Sequence, residues 1–514
     1  MGLKNICMLL VAAAAIASAQ PGIAQNGVAN AASQIPPTLA GGSIARGALF
    51  TIRGVRLAAT APTSVVLRHD RSEVPVTVLK AEPRRIEALM PPQTPTGPGA
   101  LIVTLNGLAS RPFPVEIAAS NPGIFSQNQE GWGPGQIENL GPAASLNTFT
   151  NPAHPGQRVR IATTGMGDLH QPVVVIGNRR VTGVVARSDR KGEERITVEI
   201  PADAPLSCWV PLYLLAAPGR ASNVVTIAIS RSAKCDPGPV PMDADRNLAI
   251  IALSRSRLKA DGSDQVIDNG KIVVKRAGQR VALARNDLVP PPGTCTAATG
   301  SYQGDDLTVS LSTLGLPRGE GLDAGASLTL SAGGQTRSLE AAPGRPGSYQ
   351  AKIGMSGVDL RRQPLALILN PGQILVSAPG GVDVGPFSTS LSIAPPFIWT
   401  NRDQLAAIDR NNGVTLRWEK TPPGQRMLIL ARNVDLITTA VGTCLCAVPP
   451  GAGQFSIPAE LLANIPASIP ARGERFDKLA IGSLAVKPLS FHTKGLDKGF
   501  VFVLYDISRT VDYR

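Results

Sequence analysis

The feature that most constrains this chain is an internal repeat. ARGALFTIRG, with Gly47 and Ile52, is answered by HPGQRVRIATTG, with Gly156 and Ile161. RRIEALMP, with Ile86 and Pro91, is answered by ERITVEIP, with Ile196 and Pro201. The alternating run that leads to Ser110 is answered by Val210 to Ile229, in which Ser222 takes the place of Ser110. The offsets are 109 residues from Gly47 to Gly156, 110 from Pro91 to Pro201 and 112 from Ser110 to Ser222. Three landmarks at nearly constant spacing mark one structural unit used twice, and about 110 residues is the size of an Ig-like sandwich.

The local pattern inside the repeat is that of β-structure. From Leu101 to Phe125, Val103, Leu105, Val115 and Ile117 alternate with polar or small residues, the period of a half-buried strand. Asn106-Gly107 between them tolerates the positive φ of a tight hairpin, and Gly177-Asn178 does the same between Val173 and Val185. With 52 Gly, 45 Pro and few stretches of helical period, the expected fold class is all-β, as tandem Ig-like β-sandwich modules. Hydrophobic content of 43% suffices to build their cores.

Chain order suggests the following organisation. Residues 1–19 carry Lys4, an apolar run from Ile6 to Ile16 and Ala17-Ser18-Ala19, the pattern of a secretory signal peptide. That run is too short to span a bilayer and no later one reaches the length, so a soluble exported chain is expected, secreted, at the cell surface or periplasmic. Residues 20–39 read as a loose leader, 40–120 as repeat one, and 121–153 as a Gly/Pro-rich connection whose Phe125 and Trp132 pack against a sandwich edge. Repeat two occupies 154–235, a β-rich domain with a Gly333-Gly334 hairpin 236–394, and a last β-sandwich domain 395–514. The last contains one short helix, Glu460 to Ile465, and a Trp418 that alternates with Leu416 and Val414 and so points inward.

Cysteine use fits an oxidising compartment. Cys7 leaves with the signal, and five remain. Cys208 and Cys235 bracket the last hairpin of repeat two, and a bridge there closes a loop of about 27 residues, worth roughly 3 to 4 kcal/mol on the loop-entropy account. Cys444-Leu445-Cys446 lacks the two further ligands of a zinc site nearby, so one of the pair is expected to bond Cys295, with Cys446 the candidate, and the other to stay free.

Formal charge is +13, or +12 without Lys4, which suits retention by anionic envelope polymers such as lipopolysaccharide, teichoic acid or acidic polysaccharide, or by surface proteins. The densest basic cluster, Arg187, Arg190, Lys191 and Arg195, is interleaved with Asp189, Glu193 and Glu194 and contains no aromatic, which argues against specific nucleic-acid binding. The search for catalysis finds no Gly-x-Ser-x-Gly elbow, phosphate loop or His-Glu-x-x-His helix, and no catalytic, cofactor or metal residues are assigned. His154, Asp168 and His170 would make an acid-base or zinc group only if their loops converged; as isolated rim residues they do not. Aromatics are scarce at 4%, and glycine-flanked Trp132 is the candidate ligand contact, against packing over the seam between repeats.

NPGIF, NPAHPGQRVRIATTGMGD, and SCWVPLYL followed by SNVVTIAI resemble the two-repeat extracellular domain abundant in acidobacterial secreted proteins, the Solibacter C-terminal type, over about residues 36 to 235. The family's ATGLG turn reads Thr164-Gly165-Met166-Gly167 here. LDAGASLTLS, VGPFSTSLSI, FIWTN and CAVPPGAGQFSIP are similar to companion modules of that domain. The resemblance implies Ig-like sandwiches at or outside the cell surface and no activity. The sequence reading is therefore an exported, non-catalytic array acting in surface attachment, envelope structure or extracellular interaction. The alternatives are a carbohydrate-binding or carbohydrate-active protein and a scaffold in a larger surface complex.

Overall fold

The duplication is visible bond by bond in the computed structural model, which describes residues 20–60, 62–217, 220–235, 246–260, 263–277, 289–301, 319–357, 364–469 and 476–514. Leu49–Val55 pairs with Arg85–Leu89 and sets Ile52 opposite Ile86; Arg158–Thr164 pairs with Glu194–Glu199 and sets Ile161 opposite Ile196. All four isoleucines are fully buried. The Gly47 N–H donates to the Met90 carbonyl and the Gly156 N–H to that of Ile200, both glycines at positive φ. The Ser110 hydroxyl accepts from the Val103 N–H and the Ser110 N–H donates to the Val103 carbonyl; Ser222 makes the same two bonds with Leu214. The signal-peptide segment 1–19 and the Pro237–Pro241 link lie outside the described residues.

The chain is all-β, built of sandwich modules, with one short α-helix, Ala459–Leu462, and a 3-10 turn, Arg402–Gln404, among the described residues. In the first module, Ser72–Glu82 pairs with both Thr63–His69 and Arg85–Leu89, so the two layers run into one sheet around Phe50, Leu67, Leu101 and Val103. In the second they stay separate. Arg158–Thr164, Glu194–Glu199 and Val184–Arg187 form one layer; Val173–Ile176, Ser207–Ala217 and Val225–Ile229 form the other. The modules meet at the Thr164-to-Gly167 turn, where Gly165 and Gly167 have positive φ. A Cβ on Gly167 would stand 2.0 Å from the Ala119 carbonyl oxygen, so the turn seats against the first module only as glycine.

Three boundaries differ from the sequence reading. Residues 20–39 are not loose: Gly22–Asn30 is a strand on Leu49–Val55, and Ala32, Ile35 and Leu39 are buried. The 121–153 segment is not a connection but part of the second module, since Gly123–Ile124 and Ile137–Asn139 both pair with Arg158–Thr164. The physical reason is shared. Asparagines that look like turn residues are instead buried and complete the backbone ladder with their side chains. Asn30 accepts from the Ala32 and Ser33 N–H groups and donates to the Asn121 carbonyl; Asn121 donates to the carbonyls of Gly41 and Ser43. Asn223 accepts from the Ile124 N–H and donates to the carbonyls of Ile124 and Gly131.

The third difference is the division at residue 394. Arg246–Ala260 pairs in parallel with Lys498–Thr510, from Leu248 opposite Lys498 to Lys259 opposite Arg509. Thr294–Ser301 pairs with Ala440–Ala447. Both cross the expected boundary, so the two regions are lobes on one large sheet. One lobe packs the sheet Gln335–Glu340, Ser327–Ala332, Gly372–Ala378 and Phe387–Ile393 over Ile251, Leu253, Ile272 and Val501. The other packs Val414–Glu419, Gln454–Ile457 and the helix over Ile429, Ile481 and Ile507. Val175, Tyr213, Ala221 and Val224 of the second module join that core, and Ile35 and Leu39 contact Ala440.

Replacing Asn223 with Ala strips partners from three buried backbone groups and is expected to cost about 2 to 4 kcal/mol, against about 1 for Ser222→Ala. Urea unfolding followed through Trp209 measures both; equal small losses would show that Asn223 is not a brace.

Candidate binding cleft and the fate of the sequence candidates

A concavity lies between the two lobes, and the sheet register builds its floor. Met427, Ser483, Tyr505, Arg255 and Asp268 stand directly opposite one another on five adjacent strands, all on the lobe side. This row separates the two apolar cores. Leu369, Pro371, Pro395, Pro396 and Pro422 form its walls. Asp268, fully buried, accepts from Arg255 Nε at 2.7 Å and Nη2 at 2.8 Å, and from the Ile368 and Leu369 N–H groups at 2.8 and 2.9 Å. Arg255 Nη1 donates to Asn370 Oδ1. Tyr505 meets Phe397 edge to face, and burial raises its phenol above the ordinary range. Gln425 Oε1 is buried without a partner. The carboxylate of the floor is saturated by four donors, and the cleft presents apolar walls around a polar floor.

Trp132 is corrected by the structure. It is 9% exposed and packs on Cys208 and Trp209 beside Phe149 and Cys235, its indole N–H donating to Glu130 Oε2. It lies over a disulfide of the second module and not at an exposed ligand surface, and its neighbour Gly131 abuts the Ser33 carbonyl of the first module. The flanking Gly131 and Gly133, both at positive φ, turn the backbone so that the ring points in. Trp209, Trp399 and Trp418 are also buried, the last two as a cross-strand pair.

Cys208 and Cys235 are bonded, with Cα atoms 5.5 Å apart. Cys295 and Cys446 are bonded as directly opposed residues of two paired strands. Cys444, opposite Ala297, is free and buried, and burial pushes its thiol up to about 12. The three sulfurs of Cys295, Cys444 and Cys446 lie within 4.8 Å of one another, a neighbourhood that strand pairing creates and chain spacing hides. With two of them joined in a disulfide, they do not form a thiolate ligand set.

The His154, Asp168 and His170 residues serve separate ends. His154 Nδ1–H donates to the Ser230 carbonyl, Asp168 pairs with Arg46 across the module joint, and the His170 carbonyl accepts from the Val185 N–H. In the basic cluster, Arg195 bridges Glu138 and Glu193, and Arg190 also reaches Glu193. Glu194, which the sequence presents only as one of the acids interleaved with that cluster, is the perturbed group. Burial raises its carboxyl to about 7 despite the Met166 and Gly165 N–H donors, and its Oε2 has no partner.

No protein-family model matches the chain, and no curated protein matches it. Among solved structures, SGBP-B of the Bacteroides ovatus mixed-linkage glucan utilization locus, solved with a mixed-linkage heptasaccharide, is 13% identical, with 77% of this chain and 78% of that one covered and a TM-score of 0.14. SGBP-B from a complex xyloglucan utilization locus of Bacteroides uniformis is 13% identical, with 90% and 92% covered and a TM-score of 0.16. The mouse nectin-like molecule 4 ectodomain is 11% identical, with 68% and 96% covered and a TM-score of 0.15. At these scores none of them bears on what this chain binds.

Two measurements test this chemistry. Asp268→Ala leaves the Arg255 guanidinium unpaired in the floor and is expected to cost about 3 to 5 kcal/mol in urea unfolding, most of it recovered when Arg255 is also replaced by Met. For Glu194 the folded value of about 7 lies above the ordinary 4.5, so the native state holds the proton more tightly. Its contribution to stability is full below about pH 4.5 and is lost as pH rises through about 7. Wild type should thus lose up to about 3 kcal/mol relative to Glu194→Gln over that window; parallel pH profiles would refute the assignment.

Proposed function

We propose that this protein is an exported, non-catalytic array of β-sandwich modules that attaches to a cell surface or extracellular matrix by charge, its partner an anionic envelope polymer. The observation that carries the reading is the burial of all four tryptophans, at 9, 7, 5 and 3% exposure, in a chain of net charge +13. None of the four tryptophans is available as a flat platform for a neutral glycan, whereas the net charge favours attachment by charge. Two disulfides suit an oxidising compartment. No helix among the described residues is long and apolar enough to cross a membrane. The modules are braced to one another through Asn30, Asn121 and the Arg180–Glu460 pair, which suits a rigid spacer.

A second reading, a saccharide unit in the cleft, is favoured by the partnerless Gln425 acceptor among proline walls. The two are separated by retention of the mature protein on its own cell envelope across a salt series. Retention lost smoothly with salt is the outcome expected of charge-mediated attachment. Retention indifferent to salt would favour the cleft, and none at low salt would refute attachment by charge.

A further inference from the structure

The two faces of the large sheet carry charge differently: the acid on the outward face of its closing strand, Asp506, lies eight residues along from Lys498 and accepts from the Ser256 hydroxyl. On the lobe side its acids are consumed: Asp268 by Arg255, and Asp264 by Arg257 and Arg402. Ile251, Ile272, Tyr349 and Val501 point into that lobe, so the alternate residues of the same four strands face outward. Those residues include Lys271, Lys275, Lys352, Lys498, Phe500 and Phe502. The register gathers them. Leu248 stands opposite both Lys275 and Lys498, which puts these lysines two strand spacings apart, about 10 Å. Lys271 lies four residues along from Lys275, about 13 Å, and Lys352 stands opposite Asn269 on the neighbouring strand.

Among the described residues none of the four ammonium groups pairs with a carboxylate; Lys498 lies over the Phe500 ring, 5.3 Å from its centroid. Lys352 and Lys498 are exposed, Lys271 and Lys275 half-buried, and burial alone lowers the Lys271 ammonium below its ordinary range. The Phe500 and Phe502 rings, half-buried and tilted 41° with centroids 6.3 Å apart, give the patch an apolar centre.

We propose that this outward face is the docking surface for a carboxylated polysaccharide, the lysines meeting carboxylates of successive uronic acid units and the two phenylalanines the apolar faces of sugar rings. The proposal rests on charge-mediated attachment. Lysines are mobile point charges that tolerate a flexible chain of carboxylates, whereas bidentate phosphate recognition calls for arginine forks. The tilted ring pair offers no platform on which bases would stack.

The test uses the full mature chain on immobilised polygalacturonate and on its own cell envelope, each across a salt series. Replacing Lys271, Lys275, Lys352 and Lys498 together with Gln is expected to weaken polygalacturonate binding at least roughly ten-fold and to flatten its log–log salt slope by about 3. The same four positions as Arg should retain binding, which separates lost charge from misfolding. A control with Arg71, Arg111, Arg231 and Lys234 as Gln, all exposed and away from this face, should bind nearly as wild type. If the Gln variant binds as wild type does, the face is wrong and attachment by charge stands. If wild type fails on polygalacturonate yet is held salt-sensitively by the envelope, the ligand class is wrong. If neither matrix holds it, both readings fall.

Discussion

The parallel pairing of Arg246–Ala260 with Lys498–Thr510 is the constraint on which the C-terminal half depends. Lys498–Thr510 lies between Arg246–Ala260 and Lys478–Ala485, in the interior of the sheet, so neither lobe has a complete floor until that strand is in place. A parallel pair demands a crossover connection, and here the crossover is almost the whole of both lobes. That explains why the cores meet at a polar row rather than a linker. Where the two apolar cores part, the Arg255–Asp268 ion pair ties two strands of the sheet together. Such non-local pairing also makes folding slow, since loop-closure entropy is spent before any contact repays it.

The duplication was legible because its landmarks report packing. Ile86 and Ile196 sit at equivalent places in equivalent cores, and Ser110 and Ser222 close the same hairpin by the same two bonds. What stayed hidden acts through backbone groups. Asn30 anchors a strand that composition presents as a loose leader, because an asparagine that completes a ladder and one that starts a turn are the same letter. The division near residue 394 failed for a related reason. Pro395-Pro396 looks like a linker but walls a cleft inside one body, and nothing local in Arg246–Ala260 announces a partner some 250 residues on.

The cysteines show how far spacing reaches before topology must decide. Chain order leaves Cys444 and Cys446 equivalent as partners of Cys295, since two residues is one pleat and both point to the same side. Register removes the ambiguity: Cys446 stands opposite Cys295 and Cys444 opposite Ala297. Trp132 is the converse case. Its glycine neighbours suggested an exposed ring, but they give the backbone the freedom to bury it on the Cys208–Cys235 bridge.

Sorting of charge between the two faces of the large sheet links architecture to function. A buried ion pair such as Arg255–Asp268 is retained at a desolvation cost and fixes the register of two strands at the junction of the lobes. Among the described residues the four lysines of the opposite face meet no carboxylate: burial lowers the Lys271 ammonium with no acid among them to offset it. A stability argument alone would replace that residue with a polar neutral side chain. Keeping four lysines there, around two half-buried rings, makes physical sense when the missing counter-charge comes from outside the chain.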